Sequence, residues 1–175
     1  MVERTMVGGF PVTVVNTRPD IGTPDVLDRL GAALDLLTRH VPHHARRMHR
    51  DFSGFLIERR AYRGAYLPQT RTCLVELTFI VNRAFSPAQV AATILHEAMH
   101  ARLYARGIAI NDGPRQERFC RQAEIDFGRM VEGGDAIVAR ALAALQLDDR
   151  GIAPTIDPTI AAARIASEDR AAGHS

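Results

Sequence analysis

The order of apolar and polar positions predicts a small sheet followed by several helices. Phe10 to Asn16 is rich in β-branched residues and runs into Arg18-Pro19-Asp20, which predicts a strand and then a turn. Thr23-Pro24 predicts a helix start, with the threonine as cap and the proline at the first helical position. Val26, Leu27, Leu30, Ala33, Leu34 and Leu37 then recur at helical spacing to about Arg39. Pro42 restarts the chain into a short second helix over His43 to Arg50. Gly54 to Tyr62 and Thr72 to Val81 predict two strands joined around Gly64 and Pro68. In the second, Cys73, Val75, Leu77 and Phe79 alternate with Leu74, Glu76, Thr78 and Ile80, a pattern suited to a strand with one face fully buried.

Ser86-Pro87-Ala88-Gln89 combines a serine cap, a proline at the first position and a glutamine three residues after the cap. The helix it opens is expected to run to about Arg106, where Gly107 supplies a left-handed end. Asn111-Asp112-Gly113-Pro114 predicts a turn and another helix ending near Gly133-Gly134, and Asp135 to Leu147 predicts one more. These elements describe an α+β fold of three to four strands and four or five helices. They form a single domain over residues 1–153, with 154–175 an alanine-rich, partly disordered tail.

Composition narrows the functional classes. The chain has 175 residues and a formal charge of +2, too near balance to argue for a nucleic-acid or membrane partner. All 22 basic residues are arginine, which excludes lysine Schiff-base chemistry and lysine-dependent phosphate loops. No apolar run reaches the roughly 18 residues a membrane span needs. Met1 to Phe10 lacks the apolar core of a secretory signal, so a cytoplasmic location is expected. Cys73 and Cys120 form no C-x-x-C pair and read as buried, reduced thiols.

The chemistry centres on His96-Glu97-Ala98-Met99-His100, a match to H-E-x-x-H. Residues four apart on a helix project about 40° from one another, so both imidazoles can reach one cation. Glu97 then lies beside the metal as a general base rather than as a ligand. Gln89, Thr93, His96, Glu97 and His100 share an arc of about 100° on an otherwise apolar helix, which predicts burial with one polar stripe open to a cleft. The alternative is an ordinary solvated stripe with incidental histidines.

A third protein ligand is needed, and the next helix offers Glu117 and Glu124, seven residues apart on nearly the same face. Glu117 is favoured because it lies in the first turn of that helix, with Glu124 then steadying the histidines. The reverse assignment, a weaker one to Asp126, and plain ion pairs of both glutamates with Arg115, Arg118 or Arg121 stay open.

H-E-x-x-H on a buried helix, strands before it and a glutamate on the following helix together resemble the zincin metallopeptidases of the glutamate-ligand (gluzincin-like) branch. The resemblance covers roughly residues 54–131. It departs from the metzincin pattern, with Leu103 and Arg106 where that pattern has glycine and histidine. The resemblance implies a minimal zincin-like fold, one Zn2+ per chain held by His96, His100 and Glu117, and Glu97 as the catalytic base. It further implies a peptide or protein substrate laid along an edge strand, which would be Thr72 to Val81. The rival class is a catalytically silent zincin-like module that binds or regulates a protein partner. His40, His43, His44 and His49, with Arg46, Arg47 and Arg50, read as a solvated helix face, with a second metal site or an RNA-contacting patch as the alternatives. Tyr62, Tyr66 and Tyr104 are candidates for stabilising an oxyanion, though more often such tyrosines only pack.

Overall fold

The computed structural model describes residues 1–154 and 158–171. The fold is α+β, with a mixed five-stranded sheet ordered β1-β2-β3-β5-β4. β1 (Val2–Val7) and β2 (Phe10–Val15) form a hairpin across Gly8 and Gly9, both at positive φ. Two central residues with positive φ suit the right-handed twist of the flanking strands, which is why this tight turn takes glycines. β1 was not predicted: its exposed VERTMV sequence shows no buried alternation, and only the Gly-Gly pair marks it.

The chain then crosses through α1 (Thr23–His40) and α2 (Pro42–Asp51) to β3 (Gly54–Glu58), parallel to β2. α1 differs at its start from the sequence expectation. Gly22 occupies the cap position without a side-chain bond, and Thr23 is buried inside the first turn. β4 (Gly64–Leu67) and β5 (Thr72–Glu76) follow, with β5 parallel to β3 and antiparallel to β4.

The predicted strand Thr72 to Val81 is therefore half right. After Glu76 the chain turns into a short helix, α3 (Leu77–Val81). Glu76 is the reason: its buried carboxylate accepts from the Phe79 amide at 2.6 Å and from the Thr78 hydroxyl at 2.7 Å, while Arg59 donates to it at 2.7 Å. A carboxylate at a helix start satisfies an orphan N–H and meets the positive end of the dipole. The alternation at 77–80 cannot report this, because a wholly apolar run suits a buried helix turn as well as a strand. Nor is this strand the sheet edge: β5 lies between β3 and β4, and the edge beside the cleft is β4.

The sheet register builds the core. Val12 faces Phe55, which faces Cys73; Val14 faces Ile57, which faces Val75. All six are buried in one apolar cluster with Leu30, Leu37 and Ile94. Tyr66 pairs with Cys73 and Gly64 with Val75, so β4 turns these two positions toward the same helix-covered face.

α4 (Pro87–Ala105) lies against that face, held at both ends by the devices its sequence announces. The Ser86 hydroxyl and Gln89 form a full capping box. At the other end Gly107 has φ +66, its amide donates to Tyr104 and that of Ile108 to Leu103, a Schellman motif. α5 (Gly113–Gly128), capped by Asp112, returns beside α4. It stops five residues short of the expected Gly133, because the chain doubles back so tightly that a Cβ on Gly134 would sit 1.9 Å from the Gly128 carbonyl oxygen. α6 (Asp135–Leu145), α7 (Asp149–Ile152) and α8 (Pro158–Ala171) complete the described chain, so much of the expected tail is helical. Its last residues, 172–175, lie outside the described residues. Among the described residues no helix is long and apolar enough to cross a membrane.

Candidate metal centre

The polar stripe of α4 faces an open cleft of about 680 Å³ walled by β4, α4 and α5. His96 and Glu97 are only 7% and 6% exposed, and the flanking Ile94, Leu95, Ala98 and Ala101 are buried. Burial on nearly all sides fixes the rotation of the helix, and this aims the stripe.

His96 Nε2 and His100 Nε2 lie 3.2 Å apart. The Glu117 carboxylate reaches both, with Oε1 3.0 Å from His100 Nε2 and Oε2 3.3 Å from His96 Nε2. Of the outer nitrogens, that of His100 is also met. Gln116 Oε1 is 3.1 Å from His100 Nδ1, and its amide donates to the Ala109 carbonyl at 2.9 Å, which fixes the side chain's orientation. Glu124 Oε1 is 3.5 Å from His96 Nδ1, too long for a well-formed bond to that buried nitrogen. Glu124 is itself 1% exposed and clamped by Arg121 and Arg140, each at 2.9 Å.

The two glutamates thus differ in what they face. Glu117 meets the inner nitrogens; Glu124 faces an outer one and spends both oxygens on arginines. The expected competition with Arg121 is real, since it also approaches Glu117 at 3.6 Å. Arg118 instead pairs with Asp149, and Arg115 lies over Phe119. Asp126 is exposed and accepts from Gln122.

One residue was missed as a candidate donor. Cys120, a buried free thiol, forms with His96 and His100 a cluster whose ligand atoms all lie within 4.8 Å of one another. This cluster can hold a metal ion. Its only advance signal is its position three residues after Glu117, one helical turn along the same face. The Glu117 carboxylate lies within 3.3 Å of both inner nitrogens and is the donor already charged. Burial pushes the Cys120 thiol well above its ordinary pKa, and the neighbouring glutamates push it further, so it yields its proton only to a close cation.

The electrostatics suit a cation. Burial alone would depress His96, but the negative carboxylates of Glu117 and Glu124 beside it outweigh burial and lift the imidazole to about 9. Burial likewise opposes ionisation of Glu117, yet His100 and His96 hold it well below the usual carboxylate range. Burial raises Glu97, against the pull of the two histidines and of the Tyr66 amide, which donates to it. Gly64 permits this contact: a Cβ there would lie 2.9 Å from Thr93 Cγ2 and 3.2 Å from Glu97 Oε1. In Gly64→Ala, strand β4 is therefore expected to be pushed off α4. Metal content should persist, while turnover of any substrate falls at least about tenfold, because misplacement by about 1 Å can cost a hundredfold. Unchanged turnover would show that β4 does not position Glu97.

Of the candidate tyrosines, Tyr66 and Tyr104 line this cleft with ring centroids 6.2 Å apart, whereas Tyr62 lines a separate hollow. Of the histidines of the basic stretch only His43 and His44 lie together, with ring centroids 4.2 Å apart, and among the described residues they join no third ligating group. His49 stacks on Phe10, His40 meets the edge of Phe127, and burial with the nearby His43 and Arg47 charges pushes His44 down to about 4. Comparison of the chain with protein-family models, with curated proteins and with solved structures finds no match. Fold and site together define an α+β protein with a His96, His100 and Cys120 cluster that could hold a metal ion.

Proposed function

We propose that the chain is a zinc-dependent metallopeptidase of zincin-like, glutamate-ligand type. The observation that carries this reading is the convergence of three donors, His96 Nε2, His100 Nε2 and the Glu117 carboxylate, at 3.0–3.3 Å from one another at the cleft floor. The donor set fits a zinc ion: two imidazoles and one carboxylate, with Gln116 at the outer nitrogen of His100 a partner of the kind that orients ligating histidines. Two ring nitrogens 3.2 Å apart cannot both be filled by protons, which a shared cation resolves. When bound, such an ion supplies Lewis acidity toward a carbonyl and toward water.

The chain's own residues would do the rest. Glu97, lifted by burial, accepts the proton of an attacking water and returns it to the leaving amine. The Tyr66 amide keeps its carboxylate oriented. β4 has a sheet partner on one side only, so an extended peptide can add along its other edge.

Cys120 favours a second reading. A thiolate as fourth donor would close the coordination shell, as in structural zinc sites, and leave a silent binding or regulatory module. Zinc content of the full chain separates the two. The hydrolase reading expects about one zinc per chain, lost in His96→Ala and Glu117→Ala and kept in Cys120→Ala and Glu124→Gln. Loss of zinc in Cys120→Ala with retention in Glu117→Ala would support the closed site instead. Folded wild type that takes up no zinc would end both readings.

A further inference from the structure

Three arginines line the metal cleft, and they are not equivalent. Arg121 is spent on Glu124 at 2.9 Å and Glu117 at 3.6 Å, and Arg140 is bonded to Glu124 at 2.9 Å. Arg63 makes no ion pair among the described residues. It is nonetheless held in place at the wall between this cleft and the neighbouring hollow, its guanidinium carbon lying 4.3 Å from the ring centroid of Phe85 and 5.3 Å from that of Phe79, two rings of that hollow. Stacking of this kind uses the face of the guanidinium and leaves its N–H edges open. Arg140 is close enough that, after burial, its charge is the main influence lowering the Arg63 pKa, with Glu124 opposing. Arg121 and Arg140 already occupy both oxygens of Glu124, so the third arginine at this end of the cleft, Arg63, has no carboxylate of its own. Arg63 directly precedes Gly64, whose backbone abuts Glu97, and Arg140 is one carboxylate away from His96. The uncompensated charge thus borders the metal centre.

We infer that the cleft receives a peptide by a carboxylate, either the C-terminal carboxylate or an Asp or Glu side chain, held by the Arg63 guanidinium with Arg140 behind it. A preoriented, unpaired guanidinium is a bidentate receptor for that group, and a neutral ligand leaves it unsatisfied. The choice of ligand class rests on the peptidase reading; the binding itself does not require turnover.

The test uses full-length Glu97→Gln protein loaded with zinc, so that binding is read without cleavage. Three fluorescein-labelled peptides are titrated at fixed salt by anisotropy: Ala-Ala-Ala-Ala with a free C-terminus, its C-terminal amide, and the amide with aspartate at the third position. At least one carboxylate peptide should bind about tenfold or more tightly than the plain amide; which one does so identifies the source of the carboxylate. Adding Arg63→Gln should reduce that preference to under about threefold while leaving amide binding unchanged. Arg60→Gln removes the same charge three positions away, where the arginine pairs with Glu58, and should leave the preference intact. Equal binding of all three peptides, no binding, or equal effects of the two arginine variants would overturn the subsite. Cleavage by zinc-loaded wild type is followed in parallel. Turnover of the plain amide without carboxylate preference would leave the peptidase reading and remove the subsite. Arg63-dependent binding without turnover of any peptide would do the reverse.

Discussion

Glu97→Gln should lower peptide turnover by about 10²–10⁴-fold while zinc content stays unchanged. Glutamine keeps the shape and the acceptor oxygen that the Tyr66 amide uses, but it cannot take a proton from water. Glu97 is adjacent to the donor set without being part of it, so metal retention separates a lost base from a lost ligand. Stability adds an independent check. Burial raises the Glu97 pKa above its unfolded value, so the native state holds this proton more tightly than the unfolded chain does. Its contribution is therefore present at low pH and is lost as pH rises through the folded pKa. Above that window the ionised, buried carboxylate is a liability, and the amide should leave the metal-free protein no less stable at neutral pH. Loss of zinc in Glu97→Gln, or turnover within about threefold of wild type, would remove the general-base role.

Phe127→Ala should cost about 3–5 kcal/mol of unfolding free energy. Phe127 is 0% exposed and sits in the apolar cluster that holds α5 within the fold, three residues after Glu124. Truncation leaves a cavity that close-packed neighbours fill only in part. For a chain of this length the loss corresponds to a fall in Tm of about 6–20 °C. Phe119→Ala, on the same helix but 40% exposed, should change stability by no more than about 0.5 kcal/mol. Urea unfolding of the metal-free proteins measures both. Similar costs at the two positions would mean that α5 is not seated as described. Zinc should recover part of the Phe127→Ala loss, because a ligand that binds only the native state stabilises it by mass action.

α4 shows how much a local pattern can carry. Its capping box, its glycine end and its polar stripe of His96, Glu97 and His100 all read from residues three to seven apart, and all three are present in the fold. Where the local pattern was silent or ambiguous, the reading failed. β1 has an exposed, unpatterned sequence, and its pairing is a property of the hairpin rather than of the strand. The segment after Glu76 was apolar enough for either state, and a buried carboxylate cap made it a helix. That shift also moved the cleft-side edge from β5 to β4, and only there does Gly64 let a strand touch Glu97.

The same division runs through the site. Helical geometry alone puts His96 and His100 within reach of one cation and Glu97 beside them, because side chains four apart on a helix always share a face. Glu117, Cys120 and Glu124 were all local facts of α5; position in the first turn favoured Glu117, but no local signal showed how the three meet α4. Their order follows from how α5 is docked: Glu117 against both Nε2 atoms, Cys120 within reach of both rings, Glu124 withdrawn behind His96 by Arg121 and Arg140. Arg63 and Arg140 are 77 residues apart in the chain and line the same cleft only in the finished fold. Sequence by itself therefore determined the helix, its buried face and the histidine pair with its glutamate, since these depend on periodicity within one element. Tertiary structure decided which carboxylate of α5 faces both inner nitrogens, which strand lies beside Glu97 and the charge of the cleft, since these depend on packing between elements that no single stretch encodes.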